Sequence, residues 1–237
     1  MEIYNLKGDC DGRDDGGDGD YGGGDYGRGG LKITGMKQGV KNLERVNIYV
    51  NEKLAFSLDV TQVVDFKLKI GKILSETEFE ELKRASEFGK LYQRTLEWVL
   101  LRPRSIRETN DYLYKKIYEK KLDKNYIDLV IDKLRDKKYL DDFKFAEWYV
   151  ENRFVKKGVS LKRLKMELFK KGVSKEIVEE VLAGSERNDV EEIKKIIAKK
   201  QNKYDEQKLI QYLCRQGFDY QLSRELVSES SLTSAEE

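Results

Sequence analysis

Three leucines, Leu113, Leu168 and Leu213, set the register of a threefold internal repeat, and that repeat constrains the fold more than any other feature of the chain. Eight residues before each lies a residue suited to start a helix: Ser105, Ser160 and Asp205. Four residues before stand Thr109, Leu164 and Leu209, and four residues after stand Ile117, Gly172 and Gly217. Leu168-Phe169-Lys170-Lys171-Gly172 faces Leu213-Cys214-Arg215-Gln216-Gly217, with the glycine placed to end a helix in the left-handed conformation. A fresh N-cap follows, Ser174 or Asp219, then an apolar run: Ile177, Val178, Val181 and Leu182 in one copy, Leu222, Leu226 and Val227 in the other. Each copy reads as a long helix, a capped helix and a further short helix. A unit of roughly 45–55 residues buries too little surface to stand alone. Three in tandem predict a mainly α protein of three-helix repeats stacked as an elongated, curved array.

The middle copy opens at Tyr139–Arg153, YLDDFKFAEWYVENR. Asp141 is the expected N-cap, with Asp142 adding negative charge to the first turn. Phe143, Ala146, Val150 and Phe154 are expected to form its apolar stripe, widened by Trp148 and Tyr149. In the first copy, Pro103 stops a preceding helix that carries Leu91, Leu96, Trp98, Val99 and Leu100, and Ser105-x-x-Glu108 forms a capping box. A later helix puts Ile127, Val130, Ile131 and Leu134 on one face.

Ahead of the repeats the pattern changes. Leu31–Gly35 reads as a strand; Val46, Ile48 and Val50 alternate with polar residues, then Leu54, Phe56 and Leu58 after an Asn51-Glu52-Lys53 turn. Val63, Val64 and Phe66 suit a helical turn or a third strand, and Ser75-x-x-Glu78 opens a helix with Phe79, Leu82 and Phe88. The expected division is 1–30 disordered and acidic, 31–88 a small β/α extension containing a β-hairpin, repeats at 89–140, 141–185 and 186–230, and a disordered tail at 231–237.

Composition removes several chemistries. The chain holds no histidine, so His-based triads and His-ligated zinc are excluded, and its two cysteines, Cys10 and Cys214, make no CxxC pair. The start lacks a signal peptide's apolar core, and no apolar run approaches the roughly 20 residues of a membrane helix, which points to a cytoplasmic protein with no membrane partner. Residues 1–30 carry eight acids and three bases, −5 of a total of +2, leaving +7 for the rest. Within the acidic tract Gly22-x-Gly24-x-x-Gly27 lacks the strand and helix that a dinucleotide site requires. A calcium loop starting at Asp9 would need Gly and Glu where Asp14 and Asp20 stand. The tract therefore reads as a solvated tether, and no cofactor or metal is expected.

Basic residues crowd the middle copy. Arg153, Lys156, Lys157, Lys162, Arg163, Lys165, Lys170, Lys171 and Lys175 share one window against the single acid Glu167. Smaller clusters include Lys115 with Lys116 and Lys194 with Lys195. Such patches on successive units suit salt-sensitive, sequence-tolerant contact with a nucleic-acid backbone, or an acidic protein surface. Paired carboxylates such as Asp141/Asp142 and Glu191/Glu192 are adjacent on helices and point apart, so no enzyme is expected.

Tyr139-Leu140-Asp141-Asp142, Phe145-Ala146-Glu147, Tyr149-Val150 and Arg153 resemble the RecX family, regulators of the RecA recombinase. Arg102-Pro103-Arg104-Ser105 with Glu108, Lys170-Lys171-Gly172-Val173 and Arg45–Val50 strengthen the resemblance, which covers roughly residues 31–228. Copy one departs at Thr109 and at Lys115-Lys116-Ile117, where a Lys-Gly break is usual. The resemblance implies a non-catalytic, monomeric modulator in DNA repair, recombination and the SOS response. It would bind the RecA filament on single-stranded DNA and inhibit the recombinase, with sequence-independent duplex binding as a further capacity. The residues alone leave two other readings open: a helix-turn-helix DNA-binding regulator, and a helical-repeat scaffold for an acidic protein.

Overall fold

The structure, a computed structural model, describes residues 30–40 and 42–233. The acidic tract with its glycine pattern lies outside them, apart from Gly30. The described residues fall into two compact units that meet in sequence between Ser86 and Glu87.

The first unit is a four-stranded antiparallel sheet in the order β3-β2-β1-β4. Its strands are β1 (Leu31–Gln38), β2 (Arg45–Val50), β3 (Lys53–Asp59) and β4 (Ile73–Leu74). The expected hairpin joins β2 to β3. Asn51 and Glu52 both take positive φ (47° and 69°), the two-residue turn whose twist matches paired strands. Val63 and Val64 belong to a helix, α1 (Val60–Asp65), capped reciprocally by Asp59 and Gln62. Ile33, Ile48, Val50, Phe56 and Leu58 form the buried face and pack on Phe79 and Leu82 of α2 (Glu76–Leu100). Ser75 and Glu78 make the predicted capping box at its start. The two helical stretches read from the sequence between Ser75 and Leu101 are thus one helix of 25 residues.

The second unit is helical throughout. The last turns of α2 pack with α3 (Ile106–Lys120) and α4 (Tyr126–Asp136) around Leu113, Val130 and Leu134. Helices α5 (Asp142–Asn152), α6 (Leu161–Lys170) and α7 (Lys175–Gly184) enclose Phe145, Ala146, Leu164 and Leu168. Helices α8 (Asp189–Lys200), α9 (Glu206–Arg215) and α10 (Tyr220–Thr233) enclose Ile193, Leu209 and Leu213. The three leucines of the register are all fully buried, and Ser105, Ser160 and Asp205 all cap their helices as expected. The stripe expected on α5 is displaced: Phe145, Ala146 and Val150 are its buried residues, Phe143 is half-buried, and Phe154 lies beyond the helix end with φ 50°. At Ser105 the capping box is half made, because the Glu108 carboxylate turns away to Arg102 and Lys171. Copy one lacks the glycine, and α3 runs on to Lys120 and ends with Lys121 itself in the left-handed region (φ 53°).

One joint is built twice between successive repeats. The Ser105 hydroxyl donates to the Lys171 carbonyl (2.8 Å), while the Asp142 carboxylate accepts the Ile106 amide proton (2.9 Å). In the next pair the Ser160 hydroxyl donates to the Gln216 carbonyl (2.8 Å) and Asp189 accepts from the Leu161 amide (2.8 Å). Gly172 and Gly217 sit at these joints with φ of 82° and 95°. A Cβ on Gly217 would lie 2.9 Å from the Ser160 hydroxyl, and one on Gly172 2.7 Å from the Arg107 Cβ. Glycine is therefore required both by conformation and by the closeness of the neighbouring repeat. Burial lifts the pKa of Asp142 and of Asp189 above the usual value, and the amide hydrogen bonds partly oppose it.

Candidate partner and nucleic-acid interface

The basic window of the middle repeat divides into two sets once folded. One set is spent on internal ion pairs. Arg153, at the end of α5, and Arg163, in the first turn of α6, both grip Glu167 (2.7 and 3.1 Å), and the Tyr149 hydroxyl donates to the same carboxylate (2.7 Å). Burial raises the pKa of Glu167, but these hydrogen bonds outweigh it and hold the group down at about 2. Burial first, then the bond to Glu167, pushes Tyr149 up to about 12. Arg153 also stacks on Phe154, 3.8 Å from the ring centroid, and Arg163 bonds to the Gln216 side chain of the third repeat. Lys171 reaches back to Glu108 of the first repeat (2.5 Å), which Arg102 holds from the other side (3.2 Å). Lys165 pairs with Glu179 (3.0 Å).

The outer clusters are similarly engaged. Lys115 and Lys116 flank Glu119 (3.9 and 3.2 Å), and Lys194 pairs with Glu191 (3.1 Å). Lys195 joins Arg187 on Glu192, a carboxylate only 1% exposed, which also accepts the Val159 amide proton (2.9 Å). Burial raises Glu192, and its two cationic partners bring it below the ordinary value.

The second set is open to a partner. Lys156, Lys157, Lys162 and Lys170 are exposed and have no ion-pair partner among the described residues. Lys157 rests only against the ring of Phe154, 5.8 Å from its centroid.

A cleft that no local sequence pattern marks lies between the first two repeats, about 440 Å³, lined by Arg102, Glu108, Trp148, Asn152, Arg153 and Lys171 among others. Arg102 lies 5.4 Å from the Trp148 ring centroid. The cleft gathers residues from two distant motifs, the Arg102–Glu108 stretch and the Tyr149–Arg153 stretch, onto one wall-and-floor arrangement. Its cations are already matched to Glu108 and Glu167, and one of these pairs, Lys171–Glu108, ties the second repeat to the first. Among the described residues no group of His, Cys, Asp and Glu is arranged to hold a metal, and no helix is long and apolar enough to cross a membrane.

Known proteins share this organisation. The family model for the "Regulatory protein RecX N-terminal domain" matches residues 31–75, and that for "RecX, second three-helix domain" matches residues 141–182. A Regulatory protein RecX of Listeria welshimeri is 32% identical over 211 residues, covering 87% of this chain and 77% of the relative. The chain belongs to the RecX regulatory protein family. The Bacillus pumilus RecX is 32% identical over 208 residues, 84% of this chain and 77% of its own length. A crystal structure of regulatory protein RecX superposes with a TM-score of 0.62 over 84% of this chain and 99% of that one; at 24% identity it establishes a shared fold. The two family models fall on the β-containing unit and the middle repeat, so the RecX match rests on both structural parts of the chain.

Proposed function

We propose that this RecX-family chain binds the RecA filament on single-stranded DNA and restrains its ATP hydrolysis and strand exchange in DNA repair. Family membership carries the reading. Two structural features support it. The repeats are linked by one recurring joint, which suits a partner that is itself repetitive. Lys156, Lys157, Lys162 and Lys170 also leave cationic charge free to meet a polyanion. The chain acts by binding, as a monomer in the cytoplasm, with no catalytic step and no cofactor. Its parts are the extension at 31–88 and the repeats at 89–140, 141–185 and 186–230, preceded by an acidic tether.

The test is RecA's single-stranded-DNA-dependent ATP hydrolysis, titrated with this protein at two salt concentrations. Inhibition that weakens at the higher salt is expected, and a Lys162→Glu/Lys170→Glu variant should inhibit less. Folded protein that leaves hydrolysis unchanged at both salts sinks the proposal.

A further inference from the structure

The two joints between repeats share a frame but not their fastenings. Each frame is a serine hydroxyl on a carbonyl and an aspartate on an amide, so positions can be matched by counting from those residues. Three residues after the joint aspartate stands Glu192 in the third repeat and Phe145 in the second. Two residues before it stand Arg187 and Leu140. One residue before the joint serine stand Val159 and Arg104.

At the later joint these positions form a staple. Arg187 donates to the Val150 and Arg153 carbonyls of the second repeat (2.6 and 2.7 Å) and pairs with Glu192 (2.9 Å). Glu192 in turn accepts the Val159 amide proton (2.9 Å). The pair is almost wholly buried, beyond the reach of salt. Gly158 lets the backbones approach so closely that a Cβ there would lie 2.6 Å from the Glu192 carbonyl oxygen.

The earlier joint has no such staple. Phe145 belongs to the core of the second repeat and Leu140 to that of the first, and apolar contact holds without fixing an angle. Arg104 makes no ion pair among the described residues; its guanidinium lies on the Trp98 ring, 3.9 Å from the centroid, and its Nε is buried without a hydrogen bond. What crosses this joint besides the frame is the Lys171–Glu108 pair (2.5 Å), with Lys171 a third exposed, and Arg102 above Trp148. Two cavities with no lining residue in common flank the joint. One is the cleft of about 440 Å³; the other, about 550 Å³, is lined by Ile106, Asp132, Asp136, Asp141 and Asp142 among others. In the second cavity Asp132 and Asp136 of the first repeat meet Asp141 and Asp142 of the second. Arg135, 3.9 Å from Asp132, offsets only part of that like-charge repulsion.

We propose that the joint between the first and second repeats is a hinge latched by Lys171 and Glu108, while the second and third repeats move as one rigid block. Repulsion on the acidic side favours opening, and the latch on the basic side holds the joint shut. Once the latch is released, the first repeat swings about the Ser105–Lys171 and Asp142–Ile106 bonds, into space that the two cavities already provide. Such a chain meets a long partner surface as two rigid pieces rather than as one fixed curve. The hinge is a property of the chain alone and goes beyond the recombinase reading, which stands or falls separately.

The experiment is double electron–electron resonance on the full chain, without partner, with Cys10 and Cys214 replaced by serine. Nitroxides at Asp128→Cys and Glu180→Cys span the first joint; Glu180→Cys and Glu225→Cys span the second, all at exposed positions. The first pair should give a broad or two-population distance distribution and the second a single narrow one. Lys171→Gln, which leaves Glu108 held by Arg102, should raise the open fraction at the first joint about two- to fivefold and leave the second pair unchanged. Glu108→Gln should act in the same direction. Unchanged helical circular dichroism in both variants keeps a folding defect from imitating the result. A first-pair distribution as narrow as the second overturns the proposal. So does a first pair indifferent to Lys171→Gln, or a variant that broadens both pairs alike.

Discussion

Replacing Glu167 by Gln tests whether the cluster at the centre of the middle repeat is held together by a permanently ionised carboxylate. Glu167 is 18% exposed and accepts from Arg153 at 2.7 and 3.2 Å, from Arg163 at 3.1 Å and from Tyr149 at 2.7 Å. Its pKa falls from the ordinary 4.5 to about 2 on folding. At 1.36 kcal/mol per pH unit this corresponds to about 3 kcal/mol of stability. Because the folded value is the lower one, that contribution is complete above pH 4.5 and is lost as pH falls towards 2; at pH 3 about half should remain. Urea unfolding followed by Trp148 fluorescence, in a Trp98→Phe background, reports on this repeat. The gap between the parent and Glu167→Gln should be about 3 kcal/mol at pH 7 and narrow steadily between pH 4.5 and 3. Other carboxylates titrate in both proteins and cancel in the difference. A gap that is the same at pH 3 as at pH 7 would refute the argument, because the loss would then come from altered packing rather than from a charge.

Other substitutions probe the frame around this cluster. Gly217→Ala puts a Cβ against the Ser160 hydroxyl at a φ of 95°, and should cost about 1–3 kcal/mol in thermal unfolding, whereas Gly184→Ala, in open space, should be neutral or stabilising. Glu192→Ala leaves Arg187 buried without its carboxylate, and chemical denaturation should show a loss of about 3–5 kcal/mol. Leu168→Ala, at a fully buried register position, should cost about 2–5 kcal/mol, while Leu129→Ala on an exposed face of α4 should change little.

The helices and their starts were legible because caps are local. Ser75, Asp141, Ser160, Ser174 and Asp205 each bond an amide two or three residues on, well within reach of a motif. The register leucines were legible because burial recurs with the repeat. The joints were not: Asp142 looked like first-turn charge, yet its carboxylate is spent on Ile106, 36 positions earlier in the chain. The candidate site was read only in part for the same reason. Arg153, Arg163 and Lys171 announced a basic patch, but their partners lie 14, 4 and 63 residues away, and only folding shows that these charges are already matched. Helical spacing puts Phe154 on the α5 stripe, but spacing says nothing about where a helix stops when no glycine or proline marks the end. The Ser75 capping box and the stop at Pro103 mark the two ends of α2, and between them the sequence pattern reads as two helices where the structure has one of 25 residues.

The twice-built joint has an electrical consequence. The carbonyl end of α9 meets the start of α6 at Ser160, and the carbonyl end of α6 meets the start of α3 at Ser105. At each junction the partial negative charge of one helix faces the partial positive charge of the next. Backbone macrodipoles that would otherwise face water neutralise each other inside the protein. What remains uncompensated lies at the two free ends of the series. There Asp205 and Glu206 stand at the beginning of α9, and Lys120 and Lys121 at the end of α3, each of the sign that its helix terminus favours. The middle helices of three separate repeats thus share one electrostatic polarity, and the side chains at its two poles balance it.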